Sequence, residues 1–159
     1  MVANGSLTMG KRLTARVFAL AFMLAMLFTI PAFAADAIYS NWLGRAIAGY
    51  DPVAYFTTGK PVEGDGEITA TWKGAEWRFA SAANRDLFVA TPEKYAPQYG
   101  GYCAYAVAQN STAKIDPTAW AIVNGKLYLN YSHDIQKTWV ADQAAFILTA
   151  DKNWPSVLQ

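Results

Sequence analysis

The side chain with the most chemistry to offer is Cys103, the only cysteine among 159 residues. It follows the Gly100-Gly101 pair inside a tyrosine-rich stretch, Tyr95-Ala-Pro-Gln-Tyr-Gly-Gly-Tyr-Cys-Ala-Tyr-Ala-Val107. Paired glycines let the backbone turn sharply just before the sulfur, and Ala104 and Ala106 leave room around it. A thiol held at such a bend could ligate a soft metal or act as a redox nucleophile. Free cysteine also serves simply to fill a core. Reactivity needs the thiolate, and no cationic side chain lies within five residues on either side. His133 is the only histidine, in Tyr131-Ser132-His133-Asp134. It could be a second metal ligand or a base for Cys103, oriented by Asp134. A solvent-facing place in a first helical turn is the plainer reading. Asp51, in Gly49-Tyr50-Asp51-Pro52, reads as a turn former and, with Tyr102, as a wall of a pocket. The acidic run Glu63-Gly-Asp-Gly-Glu67 lacks the twelve-residue spacing of a calcium loop and reads as a solvated turn.

What must hold these residues begins at Ala35. Before it stand Lys11, Arg12 and Arg16, an apolar run from Val17 to Ile30 broken only by Thr29, then Pro31 and Ala32-Phe33-Ala34. This order predicts a Sec-type signal peptide over 1–34, cleaved after Ala34, and a periplasmic or secreted product with no membrane span after cleavage. Three of the 13 basic residues fall in the leader and all 12 acidic ones after it, so the remainder carries a net charge of −2. Nucleic acid, which needs a basic stripe to displace counterions, is thereby an unsuitable partner; an envelope protein suits an exported domain better. No repeat is visible. One α+β domain over 35–159 is expected, with a core at about 45–131 and C-terminal helices over 132–152.

Val53–Phe56 reads as a short buried strand, with Ile38, Trp42 and Ile47 packed over the edge of the domain. Ile68–Trp72 and Glu76–Ala80 flank a glycine-bearing turn and predict a hairpin. Ser81 opens a helix through Val89 that turns Leu87 and Phe88 to the core. Thr91-Pro92 starts another, on which Tyr95 and Tyr99 share a face. Trp120–Val123, Asn124-Gly125 and Lys126–Tyr131 form the clearest hairpin signal, since Asn-Gly suits a type I′ turn. Leu127 and Leu129 predict one buried face there. Ser132 then caps a helix carrying Ile135 and Trp139, and a second helical run carries Ala144, Ile147 and Leu148.

Taken together, Gly49-Tyr-Asp-Pro-Val-Ala-Tyr-Phe56, Trp77-Arg-Phe-Ala-Ser81, Pro92-Glu-Lys-Tyr95, Gly100-Gly-Tyr-Cys-Ala104, Lys126-Leu-Tyr-Leu-Asn130 and Asn153-Trp-Pro155 resemble the exported branch of the YHS domain family. The resemblance covers nearly all of 35–159. It implies an α+β fold of antiparallel hairpins and short helices, and a kinship with TRASH-type modules whose cysteines bind copper or other soft metals. The positions that carry those cysteines are here Ala54, Ala80 and Ala83 or Asn84, so Cys103, with His133 as partner, is the remaining metal candidate. Some relatives in that branch carry selenocysteine at the Gly-Gly-Tyr-Cys position, which implies a redox or soft-metal role for the chalcogen. The expectation is a non-enzymatic periplasmic binding module, copper being one ligand. A thiol-based redox protein and a ligand-free structural domain are the alternatives.

Overall fold

The computed structural model describes residues 35–159; the expected signal peptide lies outside them. Two antiparallel hairpins and six helices alternate along this stretch. A left-handed turn at Ile47–Gly49 leads into α1 (Ala54–Thr57). Strands β1 (Asp65–Trp72) and β2 (Ala75–Phe79) follow, then α2 (Ala82–Ala90) and α3 (Pro92–Tyr95). A second left-handed turn at Gln98–Gly101 leads into α4 (Ala104–Ala108), β3 (Asp116–Val123) and β4 (Lys126–Asn130). The chain closes with α5 (His133–Ala141) and α6 (Gln143–Asn153). The α+β class expected from the sequence is the class observed.

The succession from Ile47 to Ala90 is repeated, about 51 residues on, from Tyr99 to Ala141. Asp65 pairs with Phe79 and Thr69 with Arg78; correspondingly, Asp116 pairs with Asn130 and Trp120 with Leu129, so both hairpins carry an irregularity at the same place. Each first aspartate accepts from the backbone N–H two residues on, at 2.9 Å (Glu67) and 2.8 Å (Thr118). Both two-residue turns, Lys73-Gly74 and Asn124-Gly125, have positive φ at both positions, as a type I′ turn requires. Ser81 and Ser132 cap the following helices by accepting from the N–H three residues ahead. Even the core stacking recurs: Trp77 lies 4.9 Å from Phe88 at 33°, and Tyr128 lies 5.3 Å from Trp139 at 36°. The sequence showed no repeat because few types coincide, while the turn, cap and burial requirements that set the backbone are met by different residues.

Other expectations are corrected. Val53–Phe56 is not a strand: Asp51 accepts from the N–H groups of Val53 and Ala54 and starts a helical turn instead. Leu87 is exposed and Phe88 alone of the two is buried, because a nine-residue helix presents only a narrow stripe to the hairpin. Trp42 projects into solvent, 90 % exposed, on a turn whose Asn41 side chain accepts from Leu43 and Arg45 N–H; Ile38 and Ile47 are core. Tyr95 and Tyr99 share no helical face. Pro97 breaks the chain between them, sending Tyr95 to the core under β2 and Tyr99 to that around β4. Both faces of β4 are covered, so Tyr128 and Asn130 are buried alongside Leu127 and Leu129.

Candidate functional site

The left-handed turns decide where the candidate residues go. Ile47, Ala48 and Gly49 have φ of 41, 60 and 89°, and Tyr99, Gly100 and Gly101 have 55, 60 and 85°. Three successive residues in this region reverse the chain tightly, a conformation costly for Ile and Tyr and easy for glycine. Immediately after each turn come Tyr50-Asp51 and Tyr102-Cys103, so Asp51 and Cys103 occupy corresponding places. Each precedes a short helix and lies against the end of a hairpin.

Asp51 is wholly buried. Its Oδ1 accepts from Val53 N–H at 2.8 Å and Ala54 N–H at 3.2 Å; its Oδ2 accepts from Ala80 N–H at 2.8 Å and Asn84 Nδ2 at 2.7 Å. Four donors around one carboxylate fill most of its lone-pair positions, so Asp51 ties helix to hairpin and presents no oxygen to a ligand. Tyr102 is buried too, and its hydroxyl donates to the Asp36 carbonyl at 3.0 Å.

Cys103 is 1 % exposed, inside the core cluster, with its N–H bonded to the Ala113 carbonyl. An apolar enclosure replaces the open bend inferred from Gly-Gly. The polar neighbour the structure gives its sulfur is the Asn130 carboxamide, 3.9 Å from Sγ to Oδ1. Asn130 is fully buried; its Oδ1 also accepts from Tyr105 N–H at 3.4 Å, and its Nδ2 has no partner among the described residues. Sequence reading missed Asn130, which looked like one more outward position on an alternating strand.

His133 lies elsewhere, exposed at the start of α5. Thr118 Oγ1 donates to Asp116 Oδ1 at 2.7 Å, so His133 Nε2–H donates to Thr118 Oγ1 at 3.0 Å. The Thr118 hydroxyl is the chief cause that holds the Asp116 carboxyl below the usual carboxylate range, with His133 adding to it. The imidazole thus engages Thr118, and no hydrogen bond joins it to Cys103 among the described residues. Nor do the described residues bring three His, Cys, Asp or Glu side chains into one metal-holding group.

A different opening was not foreseen. A groove of about 440 Å³ runs between Trp72-Lys73, Ala96–Gly100, Lys126 and the C-terminal Trp154-Pro155, with Ile38 and Glu93 also on its wall. The ends of both hairpins contribute, because Lys73 lies in one type I′ turn and Lys126 directly follows the other. Trp72, Tyr99 and Trp154 make the walls aromatic. Lys73 lies over the Trp72 ring at 4.3 Å, and neither lysine nor Glu93 has an ion-pair partner among the described residues. Burial and the Asp151 carboxylate push the Tyr99 hydroxyl well above its ordinary range, so this wall stays neutral. The carboxylate accepts from that hydroxyl at 2.8 Å.

Comparison with protein-family models, with curated proteins and with solved structures returns no match.

Proposed function

We propose that this chain is an exported, non-enzymatic binding module, of the YHS-like kind its motifs resemble, and that it takes a small carboxylate-bearing molecule with a flat apolar part. One observation carries the reading: the groove of about 440 Å³ combines three aromatic walls with two lysines that outnumber its one glutamate. Its volume is in the range of small-molecule sites, and its lining mixes aromatic faces with polar groups that can orient a ligand. Trp72 and Trp154 supply faces for a ring, and Lys73 and Lys126 supply cations for a carboxylate.

Copper or another soft metal at Cys103 and His133 draws less support. The sulfur is enclosed, the imidazole is engaged with Thr118, and a soft-metal centre needs several converging ligands.

Indole-3-acetate is the probe for the groove, followed by calorimetry and by saturation-transfer NMR on the purified protein. Binding is expected to saturate and to weaken with added salt. Lys126→Glu should weaken it about tenfold, equivalent to about 1.4 kcal/mol, and Glu93→Lys should tighten it. Absence of saturable binding at millimolar probe, or indifference to both reversals of charge, overturns the reading.

A further inference from the structure

A second, smaller chamber of about 130 Å³ shares Ala37, Ile38 and Lys73 with the groove and adds Asp36 to the wall. Lys73 thus belongs to both openings, at the tip of the first hairpin. The segment that carries Asp36 is pinned beside the groove. Tyr39 N–H donates to the Gly100 carbonyl at 2.9 Å, and the Tyr102 hydroxyl donates to the Asp36 carbonyl at 3.0 Å. The Asp36 carboxylate takes no part in that anchorage and has no ion-pair partner among the described residues. Groove and chamber together carry Lys73 and Lys126 against Glu93 and Asp36, two cations against two anions. A ligand that is only an anion leaves the chamber's carboxylate uncompensated and close to its own charge. A ligand bearing both signs compensates it, and matching of this kind selects between ligands of similar shape.

We infer that the ligand is a free aromatic α-amino acid, its ring and carboxylate in the groove and its ammonium group in the chamber beside Asp36. This rests on the groove reading above and narrows it to one ligand class. The ring lies against Trp72 and Trp154, and the carboxylate meets Lys73 and Lys126. An α-ammonium group sits on the carbon next to the carboxylate, so the two charges must part at a residue common to both openings. Lys73 is that residue. Glu93 lines the groove and not the chamber, so Asp36 is the carboxylate that receives the ammonium. Joining the amino acid into a peptide removes one of its two charges, and decarboxylation removes the other. The free amino acid is therefore the form selected.

Three indoles separate the charges: indole-3-propionate, L-tryptophan, which adds only the α-ammonium group, and tryptamine, which has the amine without the carboxylate. Calorimetry on the purified protein at neutral pH gives their affinities. L-Tryptophan is expected to bind about fivefold tighter than indole-3-propionate, the size of one partly exposed ion pair. Tryptamine should bind more weakly than L-tryptophan, and added salt should weaken indole-3-propionate more than L-tryptophan. Asp36→Asn should bring the ratio of the first two affinities to about one, whereas in Glu93→Gln the preference for L-tryptophan should persist. Equal binding of L-tryptophan and indole-3-propionate to the wild type overturns the inference. So does a preference that survives Asp36→Asn or disappears in Glu93→Gln. In each of those results the carboxylate still binds, so the groove reading stands; absence of saturable binding of all three indoles removes both.

Discussion

Replacing Asp51 with asparagine exchanges one carboxylate oxygen for an NH2 group and changes almost nothing in volume. In the native protein each oxygen serves two donors: Val53 and Ala54 N–H on one side, Ala80 N–H and Asn84 Nδ2 on the other. Whichever way the new amide turns, two donors face a third donor. Hydrogen bonds to a charged group contribute about 1.5–3 kcal/mol each, so losing a pair should cost about 3–6 kcal/mol. With an unfolding entropy of about 2.1 cal/mol/K per residue over about 125 residues, that is a fall in Tm of roughly 11–23 °C. Melting followed by near-UV dichroism, with a urea titration at fixed temperature, reads the loss. Asn84→Ala removes a single donor and should cost clearly less, since the freed carboxylate oxygen keeps Ala80 N–H. A Tm for Asp51→Asn within about 3 °C of wild type would show that the carboxylate is not the tie between helix and hairpin.

Two further outcomes follow from the geometry. Gly100→Ala should prevent folding or lower Tm severely, because a Cβ there runs into the Ala37 carbonyl; Gly74→Ala, whose Cβ meets nothing, should cost only the positive φ, about 1 kcal/mol by chemical denaturation. Thr118→Val should raise the Asp116 midpoint toward the ordinary value of about 3.9, read from its side-chain carbon by NMR. The sign is that of a depressed carboxyl: its stabilisation is present above the unfolded-state value and is lost as pH falls through the folded one. The stability gap between Thr118→Val and wild type should therefore close in acid, and a gap that persists there refutes the assignment.

Local signals were legible wherever one residue type answers one backbone demand. Asn124-Gly125 and the glycine-bearing turn at Lys73-Gly74 announced their hairpins, and Ser81 and Ser132 their helices. Val53–Phe56 misled because a short apolar run is compatible with either a strand or a helical turn. Asp51, a distant partner of Ala80 and Asn84, decided for the helix. Trp42 misled because hydrophobicity predicts burial only if something is there to cover it, and the turn built by Asn41 carries it clear of the domain.

The amino-acid order by itself determined the α+β class, most element boundaries, the charge balance and the sharp bend before Cys103. These follow from steric and hydrogen-bonding rules that act within a few residues. Only the tertiary structure decided that Cys103 is enclosed, that His133 is engaged elsewhere, that Asn130 is buried with its Nδ2 unpaired among the described residues, and that the ends of two hairpins meet the C-terminal Trp154 around a groove. Each of those depends on residues tens of positions apart sharing one space, and no local pattern encodes that.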